Sequence, residues 1–219
     1  MNNKKCVIFD LDGTLLDTLE DLKNSVNFAL SQCGYEERTL DEVRGFVGNG
    51  IENLMRSAVP NGISEDAFAR CFASFKEHYK LHSEDNTKEY DGISDLLKAL
   101  RCKGFLLAVV SNKADFAVNT LCKKYFPDLL DCAFGEREGI KRKPSPDSVN
   151  EVIKISGVSK ENCYYVGDSD VDVKTAHNAE LKCIACTWGF RSRSVLESEN
   201  PEYIIDSPEE ILRIVGVNK

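Results

Sequence analysis

Short, continuous apolar runs rich in β-branched residues punctuate this chain: CVIF (6–9), LLAVVS (106–111), CAF (132–134), CYYV (163–166), CIACT (183–187) and YII (203–205). Runs of this kind predict strands covered on both faces, because a half-exposed strand would alternate apolar and polar positions. Between them the apolar residues recur at helical spacing. Ser94 to Cys102 predicts a helix with Ser94 as N-cap and Gly104 as its stop. PDSVNEVIKISG, from Pro146, predicts another that opens on proline and closes at Gly157. Strands alternating with helices imply an α/β parallel sheet with helices on both faces. Functional groups of such sheets gather beyond the carboxyl ends of the strands.

One region breaks the alternation. From about residue 18 to 85 the periodicity is helical throughout. Thr18 with Asp21 resembles a capping box, and Leu22, Val26, Ala29, Leu30 and Cys33 form one apolar stripe. Further helices are predicted over Leu40–Val47, Glu52–Val59 and Ser64–Leu81. The chain therefore divides into a core of residues 1–15 and 86–219 and a small all-helical domain, residues 16–85, inserted after the first strand.

Composition narrows the chemistry. A net charge of −8 over 219 residues argues against a nucleic-acid partner, since phosphate backbones need a basic surface. A small anionic substrate then requires local positive charge from a metal or a few lysines. Asp10 and Asp12 interrupt MNNKKCVIF too early for a signal peptide or a membrane helix. Nine cysteines, odd in number and mostly within apolar runs, fit reduced thiols of a cytoplasmic protein. Cys183 and Cys186 have the spacing of a redox or metal pair, but on a strand they point to opposite faces and read as core thiols.

The strand ends carry the chemistry. The first ends in DLDGT, another in VVSNK (Ser111, Asn112), and the CYYV run ends in GDSDVD with Asp168 and Asp172; GIKRKPSPD brings Lys143 ahead of a helix. A parallel sheet gathers all four clusters at one rim, where carboxylates, a hydroxyl and an ammonium suit Mg²⁺ and a phosphoryl group. Asp10, Asp12 and Asp168 are the expected Mg²⁺ ligands, with Asp10 as the nucleophile that forms an aspartyl-phosphate. Asp12 is placed to protonate the leaving alkoxide and then to take a proton from water. Ser111, Asn112 and Lys143 are expected to bind the non-transferring phosphate oxygens, and Asp172 to orient Lys143 or a metal-bound water.

DLDGTL, SNK, KRKPSPD and GDSDVD, in this order from Asp10 to Asp172, resemble the four motifs of the haloacid dehalogenase superfamily. The resemblance implies a Rossmann-like core and makes the helical insert a subclass I cap that closes over the site. It selects Lys143 over Lys141 and Arg142, and Asp172 over Asp170, which then reads as a helix-start residue. DLDGTLLDT, FVGNGI and PNG are similar to the phosphoglycolate phosphatase branch, which makes Gly48, Asn49 and Gly50 the cap substrate loop. Arg44 and Arg56 flank that loop and could meet a substrate carboxylate or lie on a solvated face.

The resemblance implies hydrolysis of a small phosphomonoester, 2-phosphoglycolate, to glycolate and phosphate. Haloalkanoate dehalogenases lack an acid where Asp12 stands, which favours phosphoryl transfer. The alternatives are a phosphatase for a nucleotide, a sugar phosphate or pyrophosphate, or a β-phosphoglucomutase-like mutase. The mutase reading is weakened because RGFVGNGIENL carries no histidine. His78 and His82 read as surface residues and His177 as structural. A monomer or a homodimer is expected.

Overall fold

A computed structural model describes residues 4–217, so the first three and last two residues of the expected core lie outside the described range. The chain divides into two compact units. One comprises the chain up to Leu15 and from Glu89 onward; the other is Leu16–Lys88. In chain order, β1 (Cys6–Phe9) is followed by the two-residue strand β2 (Leu16–Asp17). Four helices come next, α1 (Leu19–Gln32), α2 (Leu40–Phe46), α3 (Gly50–Ala58) and α4 (Glu65–His82), and then β3 (Lys88–Glu89). The remainder alternates: α5 (Ile93–Cys102), β4 (Leu106–Ala114), α6 (Asp115–Tyr125), β5 (Cys132–Glu136), α7 (Asp147–Ser156), β6 (Cys163–Gly167), α8 (Asp170–Asn178), β7 (Lys182–Cys186), α9 (Arg193–Ser198), β8 (Tyr203–Ile205) and α10 (Glu210–Ile214).

Six of these strands form one sheet in the order β5-β4-β1-β6-β7-β8, every pair parallel. Cys6 lies opposite Leu106 on one side and Cys163 on the other. The chain winds outward from β1 to β4 and β5, then returns to build β6, β7 and β8 on the far side. The winding reverses between β1 and β6, the place where an open parallel sheet leaves a crevice. One face buries Cys6, Ile8, Ala108, Val110, Tyr165 and Cys183 with Val149 and Val152 of α7 and Val173 and Ala176 of α8. Val7 and Phe9 alternate to the opposite face and are equally buried.

Cys183 and Cys186 are free, buried thiols, three residues apart on β7 and so on opposite faces. Pro146 and Gly157 bracket α7 as expected, with Gly157 left-handed at φ +65°. Ser94 is not a cap. Gly92, at φ +85°, is the cap that turns the chain into α5 two residues earlier, and Ser94 donates instead to Glu89 Oε2 at 2.6 Å.

In the helical unit, Leu22, Val26, Ala29 and Leu30 of α1 are buried, as are Phe68, Cys71, Phe75 and Tyr79 along α4, and the two helices pack together. The capping box expected of Thr18 and Asp21 is absent: Thr18 makes no side-chain cap bond. The fully buried Asp21 carboxylate accepts instead from the main-chain N–H groups of Asn86 and Thr87, from Asn86 Nδ2 and from Thr87 Oγ1, at 2.8–3.1 Å. A carboxylate offered four neutral donors by a distant segment is drawn there rather than to its own helix terminus. The capping box of this unit is Thr39–Glu42, at the start of α2.

Candidate active site

The core unit brings Asp10, Ser111, Asn112, Lys143, Asp168 and Asp172 to the carboxyl ends of β1, β4 and β6. Asp10 is the first residue past β1, anchored by its N–H to the Val166 carbonyl at 2.9 Å. Asp168 follows β6, and its two oxygens are fixed separately, Oδ1 by the Thr14 hydroxyl and Oδ2 by the Phe190 N–H, both at 2.8 Å. Asp172 completes a capping box with Ser169 at the start of α8, which commits its Oδ2 to the Ser169 N–H and hydroxyl and leaves Oδ1 facing Lys143. One oxygen from each of Asp10, Asp168 and Asp172 lies within 4.8 Å of the others.

Such crowding requires absent side chains. Gly13 sits at φ +88°, and a Cβ there would lie 2.4 Å from Asp168 Oδ2. A Cβ at Gly189 would lie 2.3 Å from the Asp168 Cβ. Both glycines are places where main chain replaces side chain against the acid cluster.

Lys143 is buried, and its ammonium donates to Asp10 Oδ1 at 2.9 Å, Asp172 Oδ1 at 2.8 Å and the Tyr165 hydroxyl at 3.1 Å. Burial works against its charge, but Asp10 and Asp172 outweigh it and hold the ammonium above its ordinary range. Burial likewise pushes the Asp10 carboxyl well above its ordinary range, against the pull of Lys143, with Asp172, Asp168 and Asp12 adding to the rise. Asp168 is raised to about 7 by burial and by Asp172, with the Phe190 and Thr14 hydrogen bonds pulling the other way. Three buried carboxylates against one ammonium leave two negative charges uncompensated. A divalent cation cancels that remainder, and carboxylate oxygens are the donors a hard cation takes. Asp10, Asp168 and Asp172 therefore fit a divalent metal.

Two expected residues are used differently. The Asp12 carboxylate does not join the metal-competent group: the buried ammonium of Lys113 binds both its oxygens, at 3.0 and 3.4 Å. Asn112 spends its side-chain amide on the main chain of Lys143, accepting the N–H at 2.8 Å and donating to the carbonyl at 3.1 Å. Both bonds fix the main chain that carries Lys143. Ser111, directly before Asn112, is buried, its hydroxyl oxygen accepting the Lys113 N–H at 3.3 Å. A slip in register sets these residues. Val110 pairs with Phe134 and Ala114 with Glu136, so β4 takes four steps while β5 takes two, the kind of bulge that re-aims side chains.

Lys113 and Tyr165 have no role in the sequence reading, yet both touch the site. Strand alternation is the signal for Tyr165, two residues beyond Cys163 on the face packed by α7 and α8. Lys113 lies inside the register slip of β4, where alternation gives no such signal.

In the helical unit, Gly48 and Asn49 join α2 to α3, whose first residue is Gly50. Arg44 is paired with Asp41. Arg56 is paired with Glu52 and Glu65 and lies over the Phe68 ring. The arginines thus have acidic neighbours on their own helices or the next. No helix among the described residues is long and apolar enough to cross a membrane.

Residues 7–186 match the sequence profile of the family described as haloacid dehalogenase-like hydrolase. A phosphoglycolate phosphatase of Pseudomonas putida is 32% identical over 214 residues, covering 95% of this chain and 78% of that protein. One from Aquifex aeolicus is 31% identical over 216 residues, 96% of each chain. The crystal structure of a Lactobacillus delbrueckii subsp. bulgaricus protein, provisionally named phosphoglycolate phosphatase, superposes with a TM-score of 0.91 at 36% identity, covering 96% of this chain and 98% of that one.

Proposed function

Because the chain belongs to the haloacid dehalogenase-like hydrolase family, we propose that it is a Mg²⁺-dependent phosphatase that hydrolyses 2-phosphoglycolate to glycolate and phosphate through an aspartyl-phosphate on Asp10. The observation that carries the reaction class is the cluster of Asp10, Asp168 and Asp172 around Lys143 at the strand ends. The substrate is drawn from the relatives, which are named phosphoglycolate phosphatases along nearly the whole of this chain.

Asp10 and Asp168 would hold the cation, which when bound would supply positive charge against the phosphate and keep Asp10 ionised. Asp10 attacks phosphorus while Asp12 gives its proton to the departing glycolate oxygen. The products of this half-reaction are the aspartyl-phosphate and glycolate. Asp12 then takes a proton from water, whose oxygen attacks the same phosphorus and restores Asp10. Ser111 and Lys143 hold the oxygens that do not transfer, where negative charge builds up. Residues 16–85 act as the substrate-selecting cap domain, with Gly48, Asn49 and Gly50 facing the substrate. The free thiols support a cytoplasmic enzyme.

The test is phosphate release from a panel of small esters, with Mg²⁺ and with EDTA. Mg²⁺-dependent hydrolysis with phosphoglycolate leading in kcat/KM is the expected result. Broad weak hydrolysis would discard the substrate and keep the chemistry, and interconversion of glucose phosphates without phosphate release would replace hydrolase by mutase.

A further inference from the structure

An ammonium has three N–H donors, and those of Lys143 face three acceptors: Asp10 Oδ1 at 2.9 Å, Asp172 Oδ1 at 2.8 Å and Tyr165 Oη at 3.1 Å. No donor is left over for a phosphate. For Lys143 to bind a phosphoryl oxygen, one of these bonds must be re-aimed. The Asp10 bond is the natural one, since Asp10 is the group whose charge is spent when it attacks phosphorus. The lysine must then be held by what remains, because its four-carbon stem is flexible.

Asp172 is one fixed point, its other oxygen bound by Ser169. Tyr165 is the second. Its ring is fully buried in the middle of β6, and its hydroxyl has Asp172 Oδ1 at 3.1 Å and the Val110 carbonyl at 3.3 Å to donate to. Either donation leaves oxygen lone-pair density for the ammonium. A phenol is neutral where carboxylates are ionised, so the hydroxyl also adds no charge to a site whose carboxylates already exceed the cations. A carboxylate in this place would deepen that excess.

We propose that Tyr165 is a positioning residue for phosphoryl transfer: its buried hydroxyl is the uncharged anchor that keeps the Lys143 ammonium in place when Asp10 turns to phosphorus. This rests on the phosphatase reading above and assigns a residue to it that the four motifs do not contain.

The test is Tyr165→Phe, which removes one oxygen and keeps the ring. The expected result is a fall in kcat of about tenfold to a hundredfold, the size expected for losing one hydrogen bond to a charged group, with KM changed by less than about threefold. Tungstate, a phosphate mimic that needs no turnover, is expected to bind about tenfold more weakly by calorimetry. A purely structural tyrosine would shift the urea midpoint and leave kcat and tungstate affinity within about twofold of wild type, and that result overturns the proposal. Should the phenylalanine variant not fold, 3-fluorotyrosine placed at position 165 keeps the bulk and weakens the oxygen as an acceptor. A lowered kcat then supports the role and an unchanged kcat overturns it. If the wild type hydrolyses no ester, the phosphatase reading fails, and tungstate affinity of the two proteins still decides on Tyr165. A wild type that neither turns over nor binds tungstate overturns both.

Discussion

Replacing Asp168 by asparagine is expected to stabilise the metal-free protein at pH 8, although it removes a residue assigned to the metal. Asp168 is 1% exposed, and its carboxyl is held near 7 rather than at its ordinary 3.8, chiefly by burial and then by Asp172. The folded chain keeps this proton to a higher pH than the unfolded chain does. Stability therefore falls as pH rises from about 4 to about 7 and is level above that. The interval corresponds to about 4 kcal/mol when the group is fully ionised. Asparagine mimics the protonated form. Its carbonyl can still accept from the Phe190 N–H, and its NH₂ can donate to the Thr14 hydroxyl oxygen, so both existing contacts survive. A net gain of about 2–4 kcal/mol remains after some loss of hydrogen-bond geometry. The assay is urea unfolding of both proteins in EDTA from pH 5 to pH 8. The advantage of Asp168→Asn should widen with pH, then shrink or reverse in saturating Mg²⁺. A ligand at a hundred times its dissociation constant adds about 2.7 kcal/mol to whichever protein binds it. An Asp168→Asn protein less stable than wild type at pH 8 in EDTA, or a difference that does not change with pH, would refute the idea that uncompensated charge strains this site.

Asp10→Asn should retain the fold by circular dichroism and abolish phosphate release; substantial residual turnover would remove Asp10 as nucleophile. Asp12→Asn should lose most activity with poor leaving groups and least with an activated aryl phosphate, so an equal loss with both would argue against its role as acid. Asp21→Ala should lower stability by about 3 kcal/mol in urea, because the Asn86 and Thr87 donors lose the buried carboxylate that accepts them. A change below about 0.5 kcal/mol would mean that water replaces it without cost.

The strands were legible because a parallel sheet buried on both faces leaves no alternation to confuse with a surface, and CVIF and CYYV lie where their composition predicts. The reach of β4 to Ala114 was not, since Ser111, Asn112 and Lys113 are polar and are buried only because each has a partner in space. Motif order located Asp10, Asp168 and Asp172, but spacing says nothing of which carboxylate a lysine will claim. Lys113 takes Asp12, and Lys143 takes Asp10 and Asp172. Asp21 was misread for the same reason. A local rule joined it to Thr18, three residues away, while its partners stand 65 and 66 residues down the chain.

That long-range clasp says something about ancestry. Asp21 ties the outgoing leg of the helical insert to its returning leg, and β2 pairs with β3 beside it. A segment whose two ends are fastened to each other asks little of the chain that hosts it, much as a short loop would. Selection could thus exchange the whole of Leu16–Lys88 as a cassette while the six-stranded sheet and its acids stayed as they were. On the proposal that this insert selects the substrate, grafting it would reach new substrates with the reaction chemistry inherited unchanged.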